Sequence, residues 1–453
     1  MLRKILTVVA VSAVVSLSFA AKQTIRDDPA FAQIDSIVKS LSEITGLSEN
    51  HSVAYGRMTK RQLRQFLNKR IKKTLKPEEI RSDELSLKMF GLVPQDFDLK
   101  KSTIDLLTEQ AAAFYDYDEK KLFLLDDPSS AGETTTLAHE LSHALADQHF
   151  DLDHFMEETP SNDDENLAHT AVVEGQASWL MIAYELKESG KPPVPTPEML
   201  KSVADSSEAS MADYPVLKSS PLYIQQSLLF PYAQGTLFFD AVFRKMGKKA
   251  FAAVFTDPPV DSAQVMHASR YFEHEKPSKP ELPKISFHKE GKELSEGSVG
   301  EFDHTMLLQQ YLGEPKAAQL APHLRGGQFR IVTAGKERKP VLEYVSQWDS
   351  EKEAGAFFRA YEEILKKKWQ HCDISAHGLT VLAGTGDSGY FVTRLSGTTV
   401  SSIEGLSDLL DWQHLKPTDA SLTAAEHRSH DLRRKCSRIN RCLIRGSLRS
   451  DGG

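Results

Sequence analysis

Residues 137–150 read "LAHELSHALADQHF". Leucines recur every four residues from Leu137 to Leu145, which predicts a helix with one apolar face. His139 and His143 are also four residues apart, so their side chains lie on one face, about 5–6 Å from each other. Two imidazoles at this spacing can bind one Zn²⁺. The stretch therefore predicts part of a metal site.

Glu140 completes the pattern H-E-x-x-H between the two histidines. It lies one residue round the helix, where its carboxylate can reach a water on the metal rather than the metal itself. A bound Zn²⁺ lowers the pKa of such a water from about 15.7 toward 7. Glu140 is then expected to act as a general base and to pass the proton to a leaving amine. The pattern predicts zinc-dependent hydrolysis of a peptide bond.

A catalytic zinc usually has three protein ligands, and two residues compete for the third position. His149 extends the series toward H-E-x-x-H-x-x-G-x-x-H, but Ala146 stands where that pattern has glycine. If the helix continues through Ala146, His149 lies about 15 Å along the axis from His139 and cannot share the metal. Glu174 is favoured, because a carboxylate in an apolar helical stretch needs a partner. Gly175 beside it is small enough to let the helix that contains Glu174 pack closely on the helix that contains the two histidines.

Composition and the N-terminus indicate an exported protein. The chain has 453 residues and a net charge of −8, which gives no reason to expect nucleic acid as a partner. Arg3 and Lys4 precede the apolar run Ile5–Phe19, which predicts a signal peptide over residues 1–20 that is cleaved after Ala20. The run is shorter than the roughly 20 residues of a membrane span, so no stable span is expected afterwards. The expected location is the bacterial periplasm or the medium. Three cysteines make a poor disulfide framework.

The hydrophobic pattern predicts an α+β protein with two domains. Residues 22–110 are expected to be helical, and "AFYDYDEKKLFLLDD" is expected to form a β-hairpin with Lys121–Leu125 as its second strand. A separate domain combines four predicted strands with one long helix. The expected boundaries are a main, largely helical domain over 21–272, a linker over 273–300, an α+β domain over 301–412 and a basic, disordered tail over 413–453.

The chain resembles the zincin metallopeptidases in their gluzincin arrangement, through His139, Glu140, His143 and Glu174. More closely, it is similar to a group of uncharacterised exported bacterial HExxH proteins. The resemblance extends over about residues 60–410, and Ala113 departs from it where glycine is expected. The phrases that carry it are "AFYDYDEKKLFLL", "HELSHALADQHF", "VVEGQAS", "FPYAQGTLFF" and "PPVDSAQVMHASRYF".

This resemblance implies a zincin-like fold with a small sheet beside the active-site helix, and an endopeptidase rather than an exopeptidase. It implies that Lys121–Leu125 is the edge strand to which a peptide or protein substrate adds. It also implies a residue that stabilises the oxyanion, for which Tyr232 and His267 are the candidates. Asp147 lies four residues after His143 and either orients that imidazole or is solvated. The oligomeric state stays open.

A protein of another class would also fit these residues. A non-catalytic binding or scaffold protein, derived from a metallopeptidase and stabilised by its metal, needs the two histidines but not the base. The presence of Glu140 favours the enzyme.

Overall fold

The computed structural model describes six stretches of the chain, residues 31–126, 133–157, 162–202, 214–283, 292–334 and 339–407. The first of its two compact units contains residues 1–278 and 297–322, and the second contains residues 279–296 and 323–453. Helices and strands occur throughout, so the mixed α+β class that the sequence predicts is confirmed at that level. Within the six stretches, no helix is long and apolar enough to cross a membrane. The expected signal peptide and basic tail lie outside the described residues.

The first unit opens with four helices and one short strand. These elements are α1 (Ile34–Thr45), β1 (Ala54–Met58), α2 (Lys60–Thr74), α3 (Pro77–Phe90) and α4 (Leu99–Gln110). A capping box starts α2: the Thr59 hydroxyl accepts from the Gln62 amide, and the Gln62 side chain accepts from the Thr59 amide. Leu63 and Ile71 are buried on its inner face. The helices expected before residue 110 are present, and β1 is an addition that the sequence did not predict.

A three-stranded sheet joins β1 to a hairpin formed by β2 (Ala113–Asp116) and β3 (Lys121–Leu125). The hairpin and the bounds of its second strand are as expected from the sequence. The strand order is β1-β3-β2, with β1 parallel and β2 antiparallel to β3. Lys121–Leu125 is therefore the central strand, and the expectation that it forms the edge is wrong. The reason is β1, which arrives from a distant part of the chain and pairs along the whole length of β3.

Three helices follow the hairpin, α5 (Glu133–Phe150), α6 (Leu152–Glu157) and α7 (Asp163–Glu188). Asp151 separates α5 from α6, because its φ of +47° lies in the left-handed region that a right-handed helix cannot include. Asn162 caps α7 by accepting a hydrogen bond from the Glu165 amide at 3.3 Å. Most side chains of α7 are buried, so this helix supplies much of the core of the first unit.

The next helices are α8 (Pro215–Ser219), α9 (Leu222–Met246), α10 (Ala250–Thr256), α11 (Ser262–Met266) and α12 (Ala268–Phe272). Two glycines let α9 pack directly against α7. A β-carbon added to Gly175 would lie 2.1 Å from the carbonyl carbon of Gly235, and one added to Gly235 would lie 2.2 Å from the carbonyl oxygen of Ala171. The close approach at Gly175 is therefore made with α9, and not with the histidine-bearing helix as the sequence suggested.

The boundary between the units differs from the expected one. The helices α13 (Glu301–Leu312) and α14 (Glu314–Leu320) belong to the first unit, although residues 301–412 were expected to form one domain. The expected linker over 273–300 also contains a strand, β4 (Glu293–Ser298).

Packing explains why α13 belongs to the first unit. Phe302 is buried, and its ring lies 5.7 Å from that of Tyr223 and 5.0 Å from that of Phe230. Glu301, also buried, accepts a hydrogen bond from Arg270 at 3.1 Å. These aromatic and ionic contacts join α13 to the core of the first unit.

The second unit is built on a seven-stranded sheet. The elements after β4 are β5 (Leu324–Ala334), β6 (Lys339–Trp348), α15 (Glu351–Lys368), β7 (Asp373–His377), β8 (Val381–Gly386), β9 (Gly389–Ser396) and β10 (Thr399–Leu406). The strand order in the sheet is β4-β5-β6-β10-β9-β8-β7. The helix α15 packs against this sheet, where the ring of Phe357 stacks on Trp348 at 4.4 Å. Four strands and the helix agree with the sequence prediction, whereas β4, β7 and β8 were not predicted.

Candidate metal centre

Helix α5 holds three polar side chains in the interior of the first unit. His139, Glu140 and His143 have exposed fractions of only 1%, 0% and 1%. Because residues four apart share a helix face, the two imidazoles lie side by side with their Nε2 atoms 3.1 Å apart. The helix continues without a break through Ala146 to Phe150, as the argument against His149 requires.

Helix α7 brings Glu174 to the two histidines. Its carboxylate Oε2 lies 3.2 Å from Nε2 of His139 and 3.5 Å from Nε2 of His143. Glu174 is as deeply buried as they are, with 2% of its surface exposed. The three residues favoured as ligands from the sequence are therefore brought together, from two helices, as one group that could hold a metal ion.

The spacing of the three ligand atoms fits zinc. Zinc binds histidine nitrogen and carboxylate oxygen at about 2.0–2.2 Å in tetrahedral geometry, which places neighbouring ligand atoms about 3.3 Å apart. The observed separations of 3.1, 3.2 and 3.5 Å lie close to that value. The group supplies three protein ligand atoms, one fewer than the four of a closed structural zinc site.

The electrostatics of the cluster keep Glu174 ionised. Burial raises the pKa of this carboxyl group, but the neighbouring charges and hydrogen bonds of His143 and His139 outweigh burial and lower the pKa to about 2. Burial in turn lowers the pKa of His143, whereas Glu174 raises it, and the net direction is upward. The carboxylate form of Glu174 is the form that binds metal.

Glu140 and Tyr117 lie beside this cluster. Burial raises the pKa of the Tyr117 hydroxyl well above its ordinary value, and the charges of Glu174 and Glu140 raise it further. The ring of Tyr117 meets His143 edge-on, with centroids 6.1 Å apart. Sequence reasoning missed Tyr117, because it belongs to "DYDEK", the polar turn between the two strands of the predicted hairpin. The available signal was an aromatic residue among those polar ones.

Of the two oxyanion candidates, the structure places one at the cluster. The ring of Tyr232 lies 6.1 Å from that of His139. Tyr232 precedes Gly235 by less than one turn of α9, so the close packing of α9 on α7 positions it. His267 lies instead beside Glu301, with its Nε2 atom 2.6 Å from a carboxylate oxygen. Among the described residues, no contact joins His267 to the cluster.

His149 and Asp147 also have partners away from the proposed ligands. Nε2 of His149 lies 2.8 Å from the carbonyl oxygen of Ser48, so His149 faces the loop between α1 and β1. Asp147 is buried, and its carboxylate accepts from the Tyr115 hydroxyl at 2.9 Å and from Lys120 at 2.8 Å. Asp147 therefore joins α5 to the hairpin, a role that neither of the two sequence interpretations included.

Comparison with known proteins gives one match, and it lies in the C-terminal half of the chain. A family model described as a domain of unknown function (DUF8575) matches residues 288–413. This range includes every strand of the seven-stranded sheet, together with α13 and α14, but not the histidines of α5. No curated protein and no solved structure matches the chain.

Proposed function

We propose that the protein is a zinc-dependent peptidase of the zincin type, with His139, His143 and Glu174 as the metal ligands. One observation carries the proposal: three buried ligand atoms lie 3.1 to 3.5 Å apart, next to an equally buried Glu140. Removing a carboxylate and two imidazoles from water costs free energy, which a counter-ion or a bound metal can offset. The expected export of the chain is part of the same proposal.

The residues of the site divide the work between them. Zinc bound there would polarise a peptide carbonyl group and acidify water. Glu140 accepts the proton of the attacking water and delivers it to the leaving nitrogen. Glu140 directly follows His139 on α5 and is fully buried. Tyr232, beside His139, is the residue we assign to the developing oxyanion. His267 has no such place, because its partner is Glu301.

The surroundings of the site also fit an extended substrate. β2 is an edge strand in the described sheet, and it runs into Tyr117 beside the cluster. An added peptide strand would therefore pair with β2 instead of β3.

Four proteins compared side by side test the proposal: wild type and the variants Glu140→Gln, Glu174→Ala and His149→Ala. We expect about one zinc per chain in the wild type, since one site has three ligands. Glu140→Gln should keep the zinc and lose hydrolysis of denatured casein by about 10²-fold or more, as expected for removal of a general base. Glu174→Ala should lose the zinc.

His149→Ala is the matched control, because His149 lies on the same helix but faces Ser48. It should keep both zinc and activity. A wild-type chain that holds no zinc after dialysis against a buffered trace supply would contradict the proposal, and so would full zinc occupancy in Glu174→Ala.

The deep burial of the ligands favours a second candidate function. Sites enclosed to this degree also occur where a metal only stabilises the fold. In such a scaffold protein, Glu140→Gln would again keep zinc, but the wild type would hydrolyse no peptide. The wild-type assay therefore separates the two functions.

A further inference from the structure

Tyr117 directly follows the edge strand β2, next to the candidate metal centre, and its side chain is buried. Only 8% of its surface is exposed. Its ring stands almost perpendicular to that of His143, at 80°. Tyr117 is neither a proposed ligand nor the proposed base or oxyanion residue.

The hydroxyl group of Tyr117 is buried and has no hydrogen-bond partner among the described residues. A buried polar group in this state destabilises a protein, so it calls for an explanation. Tyr115, two residues earlier and within β2, provides the contrast. Its ring lies 5.8 Å from that of Tyr117, yet its hydroxyl donates to Asp147 at 2.9 Å. A buried tyrosine hydroxyl can therefore find a hydrogen-bond partner in this hairpin, but in the part of the chain that the structure describes only one of the two hydroxyl groups has one.

Tyr117 can serve as a hydrogen-bond donor at this place. A phenol has an ordinary pKa of about 10, so it keeps its proton at neutral pH. Tyr117 lies beside His143, and Tyr232 lies beside His139.

We infer that the Tyr117 hydroxyl donates a hydrogen bond to an oxygen atom of whatever ligand occupies the metal centre. The inference rests on the proposed zinc site. The ligand class follows from the donor: a carbonyl oxygen or an oxyanion, such as a carboxylate, a hydroxamate or a tetrahedral adduct of a peptide bond. Tyr117 binds this oxygen from the His143 side, and it is a second phenol besides Tyr232 that touches the reacting group.

Binding of acetohydroxamate to the full-length, zinc-loaded protein tests this inference without any assay of activity. Acetohydroxamate is small enough for a deeply buried site, and it offers two oxygen atoms. Calorimetric titration should show that Tyr117→Phe weakens its binding by about tenfold, the effect of losing one hydrogen bond to a charged group. The affinity of Tyr117→Phe for zinc should stay within about threefold of wild type, because the hydroxyl is not a ligand.

Tyr115→Phe is the matched control, since it removes a phenol of the same hairpin that already has a hydrogen-bond partner. It should bind acetohydroxamate like the wild type but melt at a lower temperature. Tyr117→Phe without zinc should melt at the same temperature as the wild type or higher, because it removes an unsatisfied group. A lower melting temperature for that variant would overturn the inference.

The outcomes separate the inference from the function on which it rests. If the wild type binds zinc and Tyr117→Phe binds acetohydroxamate equally well, only the role of Tyr117 is overturned. If the wild type binds no zinc, the proposed function fails, and the role of Tyr117 fails with it.

Discussion

Glu174 carries a charge inside the first unit because two imidazoles lie within 3.5 Å of its carboxylate. The sequence could indicate this residue, since a carboxylate surrounded by apolar neighbours needs a partner. It could also exclude His149, because an unbroken helix directs that side chain elsewhere. It could not indicate Tyr117, whose importance depends on a contact with a helix that begins after the hairpin. The histidine spacing is a local property, whereas a missing hydrogen bond appears only in the folded chain.

A second residue in the interior leads to a prediction about pH. Asp261 caps α11 by accepting from the Gln264 amide at 2.7 Å. Burial raises its pKa to about 6, and Glu301 and Glu165 contribute in the same direction, whereas that hydrogen bond and Arg270 lower it. Asp261 therefore binds more protons in the folded protein than in the unfolded chain between about pH 4 and pH 6, so its contribution to stability falls as the pH rises through this window.

Asp261→Asn keeps the acceptor oxygen and cannot ionise. We expect it to be more stable than the wild type at about pH 7.5, by up to about 3 kcal/mol for a pKa shift of this size, and to lose that advantage near pH 4. Thermal melts at the two pH values measure the difference. Asp98→Asn, at an exposed cap with the same backbone hydrogen bond, controls for replacing a capping carboxylate. Equal melting temperatures of Asp261→Asn and wild type at the higher pH would contradict the prediction.

Among the elements, the contact between α7 and α9 places Tyr232 beside His139 at the candidate metal centre. Its glycines leave no room for a side chain, because the nearest atoms belong to the backbone of the other helix. The residues near Glu174 suggested a close approach, but nothing in the sequence specified the partner helix. The same reason explains the misplaced edge strand, since β1 pairs with a strand that three helices separate from it. Local patterns predict elements well, and their pairing poorly.

Gly235→Ala tests this contact. A methyl group there would meet the Ala171 carbonyl oxygen, so the helices must move apart, at a cost of about 1–3 kcal/mol for overpacking. We expect a lower melting temperature and weaker zinc binding together. Gly355→Ala is the matched control, because the added β-carbon would lie 3.5 Å from its nearest neighbour, an ordinary contact.

The free energy of unfolding of Gly355→Ala should rise by about 0.5–1 kcal/mol, since alanine is the better helix former. If both variants changed stability in the same direction, helix propensity rather than the close contact would determine the outcome at Gly235.

At the scale of the whole molecule, the chain leaves the first unit after residue 278 and returns to it at residue 297. A fragment of residues 21–278 therefore lacks α13, with its contacts to Arg270 and to the aromatic side chains of α9. We expect this fragment to be insoluble or to bind no zinc. A fragment of residues 21–322 should be soluble and bind about one zinc, measured by gel filtration and metal analysis.

The two fragments differ only in residues 279–322, so each serves as the control for the other. Zinc binding by a soluble 21–278 fragment would show that α13 is not needed for the metal centre.

The return of the chain also fixes an order of events during its synthesis. When residue 278 leaves the ribosome, the aromatic surface that α13 covers is still open, and at about 5–20 residues per second it stays open for some seconds. The strand β4 is made within that interval, before its neighbour β5 exists. The first unit therefore completes its folding only after residue 322 has emerged. Until then, the nascent chain exposes apolar surface that chaperones can bind.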